Sequence, residues 1–215
     1  MIHVNNFPKH PISLSALGET YGIKANEGCV ELQQWLSAQY TLNDFETTLF
    51  EQIYKDKKDL VQYYNEEELK IELIGFLFFL ANIEIKETIK VFYERPLKAI
   101  VGNYELSVVA DCMVATPAVF NKPKNPYFFL QEFKKGKGDD KDPEAQMLAA
   151  MLIAQTQNND NKPLYGSYIT GANWWFCTLV GNSYCVSRDY SSVVHADLLQ
   201  IVYILRHLKK LILDR

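Results

Sequence analysis

Three ionisable residues interrupt stretches of this chain that are otherwise apolar and typical of β-strands. Asp111 lies within residues 108–116, VVADCMVAT, and Glu132 and Lys134 lie within residues 126–134, PYFFLQEFK. Burying such side chains is unfavourable unless they are paired or bind a metal ion, so their presence needs a chemical reason. An acid on one strand, with an acid and a lysine on the next, is the minimum set of groups for metal-dependent phosphodiester cleavage.

The strand pattern predicts that these groups meet. Side chains alternate between the two faces of a strand, so Glu132 and Lys134 point to the same side. Asp111 precedes them on the far side of the proline-rich loop at residues 116–126, as it would on a neighbouring strand of a meander. Pairing of the two strands would bring Asp111 close to Glu132.

The two carboxylates would then be able to hold one hard cation. Mg²⁺ or Mn²⁺ suits such a site, because Mg²⁺ keeps several waters and takes few protein carboxylates. The backbone carbonyl of Phe133 is a candidate third ligand. Lys134 would orient or activate the attacking water and stabilise charge on the phosphate, while the metal stabilised the attacking and leaving oxygens.

The Glu-x-Lys pattern is weak evidence alone, because it occurs three times: at residues 68–70, 84–86 and 132–134. The first lies in a helical stretch, where side chains two positions apart point in different directions. The second follows an apolar helix with no acid on a preceding strand. Only the third combines a strand, an upstream aspartate and a following helix. The alternative for that one is a solvated ion pair on an edge strand.

The surrounding pattern predicts a mixed α/β domain. Helical spacing runs from about residue 27 to 57 with a break at 41–44, and again from Glu66 to Ile83. A β-rich meander follows over residues 87–134. Asp142 and Pro143 are typical of a helix start. Strands separated by glycine turns follow over residues 163–190, and a last helix runs from about 196 to 213.

At this point the chain resembles the PD-(D/E)XK, or restriction-endonuclease-like, nuclease superfamily over roughly residues 66–210. Asp111 matches the aspartate of the motif, and Glu132 and Lys134 match its Glu-x-Lys. Ala110 stands where the motif has proline, a position that varies widely in the superfamily. The final strands also resemble the strand–turn–strand that follows the core in several bacterial nuclease-like families.

The resemblance implies two further site residues. Gln146 on the helix after Glu132 looks like the glutamine that many members place there. An acid on the first core helix is also common, and Glu68 and Glu72 are the candidates, with Glu68 slightly favoured. These two share one helical face, because they stand four residues apart.

The resemblance implies a restriction-endonuclease-like α/β fold, a mixed central sheet flanked by helices, with an N-terminal helical extension over residues 1–65 and a nuclease domain over 66–215. It implies Mg²⁺ or Mn²⁺ as cofactor and nucleic acid, probably DNA, as substrate. A homodimer is compatible with it. Because the superfamily includes members that have lost catalysis, an inactive nuclease-fold protein that binds nucleic acid or protein is the alternative. An unrelated α/β interaction module would instead keep Asp111 and Glu132 apart.

Composition sets the remaining expectations. A formal charge of −4 gives no general attraction to nucleic acid, so any such binding needs a local patch. Four cysteines without a Cys-x-x-Cys pair are expected to be reduced thiols in a cytoplasmic protein. The start of the chain lacks a signal-peptide pattern. The longest apolar run, residues 73–83, is about half the roughly 20 residues of a membrane helix, so no membrane partner is expected.

The pair Trp174-Trp175 has two interpretations. Indole rings can stack on nucleobases. In a strand one of the two must face inward, however, so packing in the core is the favoured role.

Overall fold

The computed structural model describes residues 5–6, 12–135 and 142–215, with only the backbone described at residues 5–6. In this part of the chain, nine strands form one mixed sheet with the order β1-β4-β5-β6-β7-β8-β2, in which β3 also pairs with β4 and β9 with β7. The strands are β1 (Asn5–Asn6), β2 (Lys24–Ala25), β3 (Lys90–Val101), β4 (Tyr104–Pro117), β5 (Pro123–Lys134), β6 (Leu164–Thr170), β7 (Asn173–Val180), β8 (Ser183–Val186) and β9 (Tyr190–Ser191).

Helices cover both faces of the sheet. They are α1 (Leu14–Tyr21), α2 (Val30–Leu36), α3 (Asp44–Lys57), α4 (Glu66–Leu69), α5 (Gly75–Ala81), α6 (Pro143–Asn158) and α7 (His195–Leu213). One core lies between the sheet and helices α2 to α5 and α7. The other lies between the opposite face and helices α1 and α6. The mixed α/β architecture predicted from the sequence is confirmed.

The centre of the sheet carries the candidate site. Strands β3, β4 and β5 form an antiparallel meander. Helix α6 then crosses the face of these strands and returns the chain to β6, which pairs with β5 in parallel. Asp142 caps α6 by accepting a hydrogen bond from the amide of Ala145 at 3.1 Å, and Pro143 occupies the first turn, as the sequence predicts.

The helical stretch predicted over residues 66–83 contains an irregular turn. Residues Lys70–Ile74 form a π-helical segment between α4 and α5, and the amide of Gly75 donates to the carbonyl of Lys70. Asn65 caps the start through a reciprocal pair of hydrogen bonds with Glu68. The apolar second half of this stretch, including Leu77 and Phe78, is buried against the sheet.

The N-terminal region adds strands as well as helices to the domain. The two-residue strands β1 and β2 pair in parallel with β4 and β8. Both strands therefore belong to the same sheet as the strands after residue 65. The predicted boundary between an N-terminal extension and a nuclease domain at residue 65 stays a prediction.

The expectation of four reduced thiols is wrong for two of them. Cys29 and Cys185 form a disulfide with a Cα–Cα separation of 6.2 Å, across 156 residues of sequence. Cys112 and Cys177 are free and buried. The pairing depends on the segment before α2, where β2 pairs with β8, a contact between distant segments that cysteine spacing does not indicate.

Among the residues that the structure describes, no helix combines the length and the apolar character needed to cross a membrane.

Candidate functional site

Asp111 occupies a point where strand pairing is interrupted on both sides. The registered pairs of β4 with β5 stop at Cys112 and Gln131, one residue short of Asp111. On the other side, Glu94 of β3 stands opposite Asp111 between two registered pairs and has a left-handed φ of 52°. A non-glycine residue in that region is strained, and such residues occur often at functional sites.

The side chain of Asp111 replaces the missing strand hydrogen bond. Its Oδ2 atom accepts from the backbone amide of Phe133 at 2.9 Å. This contact fixes the carboxylate beside β5, and only 9% of the residue is exposed. The hydrogen bond to the Phe133 backbone therefore fixes the position of the Asp111 carboxylate without a ligand.

Glu132 is buried directly beside Asp111, with 1% of the residue exposed. Burial raises the pKa of the Glu132 carboxyl well above its ordinary value, and the negative charge of Asp111 and a hydrogen bond between the two side chains raise it further. The Glu132 carboxyl therefore holds a proton more readily than an exposed glutamate does, and it is hydrogen-bonded to Asp111. Its Oε1 atom has no hydrogen-bond partner among the described residues.

Lys134 places its ammonium group among oxygen atoms. Its Nζ lies 3.0 Å from the carbonyl oxygen of Phe133, 3.3 Å from Oε1 of Glu66 and 3.7 Å from Oδ2 of Asp111. Burial acts to lower the pKa of Lys134, but the charges of Asp111, Glu66 and Glu132 outweigh burial and raise it overall. The lysine is a buried cation in the structure.

The acid that the first core helix contributes is Glu66, which the sequence reasoning missed. Glu68 is exposed, and its carboxylate accepts from the backbone amide of Asn65 at 2.8 Å. Glu72 pairs with Lys57. The structure thus brings Glu66 to Lys134 and leaves Glu68 and Glu72 in other contacts. The Asn-x-x-Glu capping box was the available signal, because it assigns Glu68 to the helix start.

Gln146 lies on the second turn of α6, half-buried, and its Oε1 atom is buried with no partner among the described residues. Nearby on the same helix, Glu144 accepts a hydrogen bond from the hydroxyl of Tyr184 at 3.1 Å. Tyr168 also hydrogen-bonds to Glu144, and β6 places Tyr168 next to Glu132 in the parallel register. Polar groups therefore continue from the strand acids toward the start of α6.

The donor set fits a hard divalent cation. Asp111, Glu132 and the Phe133 carbonyl offer only oxygen atoms, and buried polar atoms without partners, as in Glu132 and Gln146, are unusual. Carboxylate ligands must be deprotonated, so a divalent ion would compete with protons for Glu132. Within the described ranges no three His, Cys, Asp or Glu side chains cluster as a ready metal site. The two carboxylates would need the carbonyl and water to complete the coordination.

Neither a scan against protein-family models nor a search of curated proteins found a match. The likeness to the PD-(D/E)XK superfamily therefore rests on Asp111, Glu132, Lys134 and Gln146 and on the elements that carry them.

Proposed function

We propose that this chain is a metal-dependent nuclease that hydrolyses phosphodiester bonds, with DNA as its substrate and Mg²⁺ or Mn²⁺ as its cofactor. The observation that carries the proposal is the meeting of Asp111, Glu132 and Lys134 at an interruption of the central sheet. Two buried carboxyl groups in contact, with an ammonium 3.7 Å from one of them, form an unfavourable arrangement in a purely structural core. A nuclease site provides the reason for retaining it.

The order of elements supports a restriction-endonuclease-like fold for this proposal. An antiparallel meander, β3 to β5, carries the acids and the lysine. Helix α6 and the parallel strand β6 follow. This is the order in which the superfamily arranges its motif, and it supports the proposed fold.

Each side chain has a defined role in the proposed reaction. Asp111, Glu132 and the Phe133 carbonyl would hold the metal ion, which supplies charge stabilisation for the attacking and leaving oxygens. Lys134 would hold the attacking water and stabilise negative charge on the phosphate. Glu66 would orient Lys134, since its carboxylate already lies 3.3 Å from the ammonium. Gln146 would offer its buried amide oxygen to the same water.

The second candidate is an inactive nuclease-fold protein that binds nucleic acid or protein. The position of Lys134 favours this alternative. Its ammonium already contacts the Phe133 carbonyl at 3.0 Å and neutralises Asp111, both of which a metal ion would need. In an inactive descendant, the lysine would replace the metal permanently.

Cleavage of plasmid and single-stranded DNA in Mg²⁺ or Mn²⁺ tests the proposal. We expect activity in the wild type, none in EDTA, and a loss of at least about 100-fold in Lys134→Ala, the scale of a positioned proton-transfer group. Lys86→Ala is the matched control, because Lys86 belongs to another Glu-x-Lys but is exposed. Calorimetry with Mn²⁺ separates the alternatives: no Mn²⁺ binding, or binding unchanged by Asp111→Ala, favours the inactive protein.

A further inference from the structure

A cleft of about 570 Å³ opens directly beside the candidate site. The residues before α4 form one wall, including Tyr63, Tyr64 and Asn65. The opposite wall consists of the β6–β7 turn and Trp175, and Lys135 also lines the cleft. Three of its lining residues are aromatic, and three carry side-chain amides.

The cleft and the site are formed by adjoining segments of the chain. Asn65 immediately precedes Glu66, and Lys135 immediately follows Lys134. The amide of Gly171 in the β6–β7 turn donates to the carbonyl of Lys134 at 2.9 Å, so one wall of the cleft is attached to the end of β5. A ligand with its phosphate at Lys134 would have its neighbouring groups at this opening.

Trp175 presents a rigid aromatic surface to the cleft. Its ring stacks on Tyr168 with centroids 5.0 Å apart and planes inclined by 10°. Strand registers align Glu132, Tyr168 and Trp175 across β5, β6 and β7. Trp174 is fully buried on the other face, so the expected core role is right for Trp174, whereas Trp175 is half-buried.

Charge makes this cleft suitable for a phosphate-bearing ligand. None of the described residues that line it is acidic, and Lys135 contributes a positive charge. Three other clefts of the described structure each include at least one glutamate. In a chain of net charge −4, the described lining of this cleft carries one positive charge and no negative one, so it does not repel a polyanion.

We propose that this cleft binds an unpaired nucleobase adjacent to the scissile phosphate, stacked on Trp175, so that the substrate is single-stranded or locally unpaired nucleic acid. The inference rests on the proposed nuclease function and specifies its substrate class. Bases inside a duplex have both faces covered by their neighbours and cannot reach an indole ring without leaving the stack. Stacking on aromatic side chains tolerates every base, so the subsite adds preference for strandedness rather than for sequence.

Binding of labelled oligonucleotides, measured by fluorescence anisotropy in EDTA, tests the subsite without cleavage. We expect the single strand to bind more tightly than the blunt duplex of the same sequence. A series of single strands, each with one abasic nucleotide at a different position, locates the stacked base. Binding should weaken by about 5- to 150-fold in the one strand that lacks this base, which is the effect of losing one base–aromatic stacking interaction. Trp175→Leu should weaken binding to the same extent and make that abasic position tolerated, whereas Trp175→Phe should retain most of the affinity.

Two further variants control for misfolding and for the loss of an exposed aromatic side chain elsewhere on the surface. Tyr63→Leu changes a residue that is 77% exposed, so it removes an aromatic group from the cleft without disturbing the core. Phe45→Leu removes an aromatic residue that is 68% exposed and lines a different cleft, and it should bind as the wild type does. Equal affinity for single strand and duplex, or an abasic scan with no sensitive position, would overturn the proposal.

The outcomes for this subsite and for the nuclease are separable. If Trp175→Leu cleaves single-stranded DNA as fast as the wild type, the nuclease stands and the base subsite fails. If the abasic profile appears in EDTA but no cleavage follows with Mg²⁺ or Mn²⁺, the base subsite stands and the nuclease fails.

Discussion

Oδ2 of Asp111 accepts a hydrogen bond from the backbone amide of Phe133 at 2.9 Å, at the point where registered pairing between β4 and β5 has ended. The same carboxylate therefore completes the sheet and faces the proposed metal. Substitution of Asp111 by asparagine separates these two roles. The amide oxygen of asparagine can still accept the hydrogen bond from Phe133, but the side chain no longer carries the charge that would hold a metal.

Asp111→Asn and Asp111→Ala are expected to differ in stability and to agree in activity. Asparagine retains an oxygen for the Phe133 amide, whereas alanine leaves that buried donor unsatisfied, which costs about 1–3 kcal/mol. Both remove the charge that would hold the metal. Urea unfolding should place Asp111→Ala below Asp111→Asn by that amount, and both should lack Mn²⁺ binding. Cleavage at the wild-type rate by Asp111→Asn would contradict the metal role.

Glu66 and Glu68 form a matched pair that tests which acid serves Lys134. Glu66→Gln removes the charge 3.3 Å from the ammonium and should lower the cleavage rate by about 10- to 100-fold, as loss of a positioning partner does. Glu68→Gln keeps an oxygen for the Asn65 amide and should leave the rate unchanged. Cleavage rates of the two variants, measured under the same conditions, decide between the two acids. A lower rate in Glu68→Gln than in Glu66→Gln would show that Glu68 is the supporting acid.

Metal binding is expected to release a proton from Glu132. The raised pKa of this carboxyl predicts that it holds a proton in the absence of metal, and a divalent ion would then displace that proton. Mn²⁺ affinity should therefore rise with pH, by up to about tenfold per unit, until the raised pKa is passed. Calorimetry in two buffers of different ionisation enthalpy measures the proton.

The control for that measurement is Glu144→Gln, which should leave the released proton unchanged. Glu132→Gln should bind no Mn²⁺. Binding of Mn²⁺ with no buffer dependence in the wild type would show that Glu132 is already ionised or is not a ligand.

Glu144 is expected to make stability depend on pH. Burial and the negative charge of Asp142 raise the pKa of Glu144. Hydrogen bonds from Tyr168 and Tyr184 act to lower it, but the net direction is upward. The folded state thus holds a proton that the unfolded state has lost. The resulting stabilisation is complete below the unfolded pKa of about 4.5 and is lost as pH rises through the folded value.

Urea unfolding of wild type and Glu144→Gln across pH 4 to 8 checks this dependence. The advantage of wild type over the variant should fall with rising pH, by at most about 1.4 kcal/mol per unit for one proton. Glu19→Gln, at an exposed position on α1, provides the control. A difference between wild type and Glu144→Gln that does not change with pH would contradict the assignment.

Local signals were strong enough to predict the scaffold. The apolar run at residues 73–83, the Asp142-Pro143 helix start and the β-rich segments each specify one type of element with little dependence on the rest of the chain. Asp111 and Glu132 could be predicted to meet, because a meander leaves few ways to arrange its strands. These features depend on periodicity and capping, which are properties of short sequence windows.

The remaining features depend on contacts between distant segments. Strands β1 and β2 have two residues each, too few to show any alternation. The Cys29–Cys185 bond joins segments that meet only after the sheet has formed. Glu94 carries no residue-level sign of its left-handed backbone, since glycine or asparagine would be the usual choice. Glu66 was missed although the helix start was predicted at that residue, because the capping role that turns Glu68 back toward Asn65 was not considered.

The π-helical turn at Lys70–Ile74 bears on how relatives of this protein could be aligned. Such a turn is equivalent to one residue inserted into an α-helix, and one residue corresponds to a rotation of about 100°. A homologue without the inserted residue has one residue fewer between its acid and its apolar residues. To keep both on the same sides of the helix as in this protein, the acid equivalent to Glu66 must stand one position closer in sequence to the apolar residues. Ungapped alignment through this helix would then pair that acid with Glu67, whose carboxylate contacts Lys70 instead. A one-residue gap within the helix should therefore accompany any evolutionary comparison of this site.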